Sequence, residues 1–271
     1  GDQKFYSVIL ALVIPIIVQN AVSNFVNLLD NVMVGSLGTT QLSGVAIANQ
    51  LIFVFNLSIF GAISGAGIYG AQFVGAQNWE GLRQSFRFKL LVATGITAIG
   101  MSVLYFASDP LISLYLTGEG DVADAAAMLA NGKSYLRIMI WGLLPFAMTQ
   151  TYSGTLRETG HATLPMVSSL AAVAVNLTFN YLLIFGHFGF PRLGIQGAAI
   201  ATLMSRYVEL GVVVIGTHAN HARYFFMEGV YRSFRIGRRL ALQIAAKSLP
   251  LLANEFLWSL SMTTLTQIFS T

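Results

Sequence analysis

The sequence has no cysteine and little charge. Without cysteine there are no disulfides, thiolate metal sites or cysteine nucleophiles. Charged residues make up 10% of the 271 positions and hydrophobic residues 55%. An ordinary soluble domain carries about 25% charged residues, so this chain cannot cover a water-facing surface. The shortage is concentrated: residues 5–29, 31–79, 90–108, 138–156 and 159–191 contain no Asp, Glu, Lys or Arg. About 20 apolar residues in a helix cross a hydrocarbon core of ~30 Å, so these runs read as membrane spans. They are far longer than the roughly 10-residue alternating strands of membrane barrels. The first run is also longer than the apolar stretch of a signal peptide and has no cleavage pattern.

The runs predict an all-α membrane protein with seven spans, at 8–34, 44–74, 88–108, 130–154, 163–186, 194–216 and 248–270. This organisation implies a six-helix lobe over 1–216, a basic linker over 217–247 and a further helix over 248–271. Eleven of the 15 basic residues fall on one side if the chain crosses alternately: Lys4, Arg83, Arg87, Lys89, Arg157, Arg223, Arg232, Arg235, Arg238, Arg239 and Lys247. The other side has Arg192, with Lys133 and Arg137 near the start of the fourth span, and a loop carrying Asp109, Glu119, Asp121 and Asp124. The positive-inside rule then puts the amino terminus in the cytoplasm. The basic excess belongs to this pattern and not to nucleic acid. The linker from Tyr224 to Lys247 alternates aromatic and basic residues, which predicts an interfacial helix.

The seventh span opens as the first does. Pro15-Ile-Ile-Val-Gln-Asn20 is matched 235 residues later by Pro250-Leu-Leu-Ala-Asn-Glu255. Each has a proline, three apolar residues and two polar ones. This is the pattern of parallel repeats in secondary transporters, so the chain reads as one lobe plus the first helix of a missing carboxy-terminal lobe.

Polar residues inside the spans are the candidates for function. Asn20, Asn24, Asn27 and Asn31 recur at intervals of four, three and four, making one wet face on the first helix. Asp30 lies about 7 Å inside that helix's outer end, Asn180 about 9 Å inside the end of the fifth span with Asn176 a turn deeper, and Thr202 about 12 Å into the sixth. These residues share a depth and read as a cation or proton site. The alternative is an acid reaching the headgroups and amides that glue helices together. Glu255 is a second intramembrane acid. Arg206 is a lone base in the sixth span, with Glu209 three residues on.

Other patterns carry less. Gly65, Gly67 and Gly70 complete a GxGxxG, but no strand precedes it and no acid follows at the spacing a dinucleotide fold requires. Gly61 and Gly65 suit close helix packing instead. There is no Walker A sequence, no catalytic triad and no metal-ligand set, and His218 and His221 read as solvated loop residues. The chain is therefore expected to be neither an enzyme nor a cofactor protein.

Several segments resemble the multidrug and toxic compound extrusion (MATE) family. They are Asp30 to Gly38 (DNVMVGSLG), Ser64 to Gly75 (SGAGIYGAQFVG), Gly154 to Pro165 (GTLRETGHATLP), Asn176 to Gly186 and Gly197 to Ser205. The resemblance implies twelve helices in two lobes around a V-shaped cavity, in the cytoplasmic membrane of a prokaryote. It also implies export of amphipathic cations in exchange for H+ or Na+. In proton-coupled members an acid, an amide, an acid and a hydroxyl stand at the positions of Asp30, Asn176, Asn180 and Thr202. Asn180 departs from that pattern, which leaves the coupling ion open. Glu255 resembles the helix-seven glutamate of sodium-coupled members, about one turn nearer the cytoplasmic end. Two other readings are a flippase for lipid-linked sugars on the same frame and a membrane scaffold that transports nothing.

Overall fold

The computed structural model describes residues 2–116 and 121–270, and within them every regular element is helical. Glu119 lies outside the described residues. In chain order the α-helices are α1 (Asp2–Gly35), α2 (Thr39–Gly75), α3 (Trp79–Phe106), α4 (Ser108–Ser113), α5 (Val122–Met139), α6 (Leu143–Glu158), α7 (Thr163–Phe185), α8 (Ile195–Ala219) and α9 (Arg238–Ser270). Helices α1, α2, α3, α7 and α8 are each long and apolar enough to cross a membrane.

The fourth expected span is not one helix. It begins at Val122, where Asp121 caps it by accepting from the Ala123 amide at 2.8 Å, and it breaks into a 3-10 turn over Ile140–Gly142 before α6. The cause is Pro145, which has no N–H to offer the carbonyl four residues back, at Trp141. Helix α8 supplies the missing donors: the Tyr207 hydroxyl bonds the Trp141 carbonyl at 3.3 Å and Arg206 Nη1 bonds the Gly142 carbonyl at 3.1 Å.

Helix α3 starts nine residues earlier than the expected span, with Asn78 Oδ1 accepting from the Gly81 amide at 2.9 Å. Two residues read as flanking bases, Arg87 and Lys89, are therefore buried in its first turns. Lys89 Nζ donates to Glu158 Oε1 at 2.5 Å and to Thr155 Oγ1 at 3.0 Å.

The linker is not an interfacial helix. Arg87 takes the carbonyls of Val230 and Gly229 at 2.7 and 3.3 Å, which holds the segment in turns. Phe226, Met227 and Val230 pack inward on Phe86, Tyr152, Leu156 and Val213. Tyr224 and Phe226 thus close the end of the bundle, whereas Phe225, Tyr231 and Phe234 stay exposed. Helix α9 begins at Arg238, ten residues before the expected boundary, and runs antiparallel along α2. A Cβ on Gly61 would stand 2.7 Å from Leu252 Cα, and one on Gly65 would stand 2.6 Å from the Ser248 amide nitrogen. The glycine pattern therefore serves a helix seam. Its other members, Gly67 and Gly70, leave room for the Glu158 carboxylate.

Candidate functional site

Helix α7 ends at Gly186, whose φ of +75° suits glycine, and the Gly186 amide closes the last turn on the Leu182 carbonyl at 2.9 Å. Helix α8 packs against α7 backbone to backbone: a Cβ on Gly197 would lie 2.5 Å from the Leu183 carbonyl oxygen. That approach sets Thr202 beside Asn176, and α1 lies against α7 so that Asp30 meets Asn180.

The result is a continuous hydrogen-bonded chain across three helices. Asn180 Nδ2 donates to Asp30 Oδ1 at 2.5 Å and to Asn176 Oδ1 at 3.1 Å, and Asn176 Nδ2 donates to Thr202 Oγ1 at 3.2 Å. Asn176 and Asn180 are 5% and 1% exposed, so the amides are inside the bundle and not at its edge. Asn180 spends its amide nitrogen on both acceptors and leaves Oδ1 buried without a partner. An unfilled acceptor beside a carboxylate is suited to a cation.

Two cavities of about 450 Å³ each meet at this cluster, sharing Asn27, Asp30, Asn56, Thr202 and Arg206 as lining residues. The asparagine stripe of α1 divides between them. Asn20 lines one, Asn31 the other and Asn27 both, whereas Asn24 lines neither. Glu255 also lines neither, because its helix packs along the Gly61 and Gly65 side of α2.

Several cavity residues were not read from the sequence as parts of a site. Asn49 and Asn56 are seven apart on one face of α2, in a run without charges, and that spacing was the available signal. Asn56 Oδ1 is buried without a hydrogen bond. Tyr135, 5% exposed, lines the cavity with Asp30 and stands on a helix that only the tertiary structure brings there. The sequence places Arg157 among the bases flanking the spans, but it lines the other cavity and donates Nη2 to Gln19 Oε1 at 3.0 Å. It belongs to the last turn of α6, which leans over α1.

The MatE family profile matches residues 15–182, a stretch that includes Asp30 and both buried asparagines. A probable multidrug resistance protein NorM of Thermotoga maritima is 29% identical over 205 residues, covering 76% of this chain and 43% of that protein. Another, from Bacillus licheniformis, is 28% identical over 238 residues, covering 86% and 50%. The chain thus spans about half the length of the curated relatives it matches. A solved structure described as the outward-facing conformation of a multidrug resistance MATE family transporter of the MOP superfamily has the same fold. It superposes with a TM-score of 0.81 at 21% identity, over 94% of this chain and 54% of that one. The profile covers more than half of the residues, and the chain belongs to the MatE family.

Proposed function

We propose that the chain is the amino-terminal lobe of a multidrug efflux transporter in the cytoplasmic membrane of a prokaryote, with its amino terminus in the cytoplasm. In this reading residues 1–216 form the lobe, 217–247 the basic linker and 248–271 part of the first helix of a second lobe. A coupling ion, H+ or Na+, exchanges for an amphipathic cation. The observation that carries the reading is the hydrogen-bonded chain Asp30–Asn180–Asn176–Thr202, with both asparagines buried, where two cavities meet.

Ionised Asp30 is held by a charge-assisted bond from Asn180. A proton on Asp30 removes that charge and weakens the bond. Sodium would instead find oxygens at Asp30, Asn176, Thr202 and the unpartnered Asn180 Oδ1, the ligand type hard cations take. In both cases the tie between α1 and α7 changes, and with it the Asn20, Asn27 and Asn31 edge of the cavities. Ion and drug then influence each other's affinity through one element, as linkage requires.

The test is accumulation of tetraphenylphosphonium in efflux-deficient cells carrying the full-length gene. Asp30→Asn should lower ion-driven efflux about tenfold or more, because an intramembrane acid without its charge cannot couple. Collapsing the proton and sodium gradients separately identifies the ion. Intact efflux with intact ion dependence in Asp30→Asn would overturn the reading.

A further inference from the structure

The cavity below Asp30 continues toward the linker, and its charge changes along the way. Helix α8 carries Thr202, Arg206 and Glu209 at offsets of four and three, one face of a helix, and all line that cavity with Arg157 of α6. A guanidinium has five N–H donors. Arg157 spends one on Gln19, and its Nε is buried with no acceptor. Arg206 spends one on the Gly142 carbonyl and places its Cζ over the Phe146 ring, 5.3 Å from the centroid. Glu209 is within electrostatic reach of both cations, yet it forms no direct ion pair or hydrogen bond among the described residues. This half of the cavity thus holds two cations and one anion, with most guanidinium donors unspent. A buried guanidinium donor without an acceptor is costly unless something pairs with it. Two aromatic rings line the same region, with Phe60 edge-on to Phe146 at 6.0 Å.

We propose that this region is an oxyanion subsite. A carboxylate or phosphate group seats between Arg157 and Arg206, and the apolar body attached to it lies on Phe60 and Phe146. Glu209 reduces the local charge to +1, which one monoanion neutralises, whereas a polyanion would leave buried charge uncompensated. The subsite adds an anion-binding region to the cavity of the transport reading, apart from the Asp30 end, and the proposal rests on that reading. Two sources offer the same chemistry: a soluble amphiphile with one acidic group, or an anionic lipid headgroup entering past the exposed apolar face of α1 at Phe25, Leu28 and Val32.

The experiment compares binding of pyrenebutyrate and its uncharged analogue pyrenebutanol to the full-length protein in detergent, by fluorescence anisotropy. The acid should bind about tenfold more tightly than the alcohol, the scale of one or two charge-assisted hydrogen bonds. Arg157→Gln should reduce that preference to about twofold or less, Arg157→Lys should keep part of it, and Glu209→Gln should increase it. Arg206→Gln also uncaps the Gly142 carbonyl, so Arg157 carries the test. Equal affinities in the parent protein, or a preference unchanged in Arg157→Gln, would overturn the subsite. Displacement of the acid by phosphatidylglycerol but not phosphatidylcholine assigns the subsite to a headgroup, and no displacement by either assigns it to a soluble amphiphile. Tetraphenylphosphonium export in vesicles separates the two proposals. Export without acid preference removes the subsite alone, and acid preference without ion-driven export removes the transport reading alone.

Discussion

At the linker end Lys89 meets Glu158 and Thr155 in dry packing, whereas at the other end Asp30 meets Asn180 beside open space. Both ends bury an acid inside a helical bundle. At the linker end the carboxylate has an ammonium partner 2.5 Å away, and two glycines of α2 leave room for it. At the other end the acid has an amide donor and, among the described residues, no cation partner; an orphaned amide oxygen lies next to it, and two cavities open onto it. Burial of charge alone therefore does not mark a functional site. A charge that is closed off with its counter-charge holds helices together, and a charge that faces a cavity with bonding capacity to spare is free to bind something.

The largest effect that would break this comparison lies at the closed pair. Lys89→Met leaves Glu158 buried without a cation and should lower the unfolding free energy by about 3–5 kcal/mol, measured by thermal unfolding in detergent. The double variant Lys89→Met/Glu158→Leu should recover most of that loss, because a packed apolar pair replaces a packed ionic one. A single variant as stable as the parent would put Lys89 in the same category as Asp30.

Asp30→Asn should behave in the opposite way. The new side chain still offers Asn180 an oxygen, so stability should change by less than about 1 kcal/mol while coupling is lost. A stability loss on the scale of Lys89→Met would make Asp30 a structural charge.

The smallest effect sharpens the boundary of the linker end. His161, between α6 and α7, sits edge-on to Tyr224 at 5.0 Å, and burial together with Arg223 holds its pKa below the usual 6.5. The folded state disfavours the imidazolium. The contribution of neutral His161 is therefore complete above the unfolded pKa and is lost as pH falls through the window below 6.5. The Tm should drop more between about pH 7.5 and 5.5 for the parent than for His161→Phe. Equal drops would show that the linker seat does not respond to His161.

The candidate cluster was legible in the sequence to the extent that it lay on regular helices. Asp30, Asn176, Asn180 and Thr202 fell at one depth because helical rise is constant, and the structure joins all four by hydrogen bonds. Depth says nothing about rotation. The same arithmetic could not tell that Asn24 faces away from both cavities, or that Arg157, one turn past an expected span end, leans into one of them. The break at Pro145 escaped for a related reason. Its proline was visible, but the Tyr207 and Arg206 donors that make the break tolerable come from another helix.

The scarcity of charge by itself determined that this is a membrane protein and roughly where its long apolar helices run, because an unbroken apolar run of this length crosses hydrocarbon as a helix and every polar group inside it is costly. Tertiary structure alone decided which of those polar groups are paired and which are left open. Pairing depends on the rotation and spacing of neighbouring helices, and those were set here by glycines at Gly61, Gly65 and Gly197 that let backbones approach where any side chain would have held them apart.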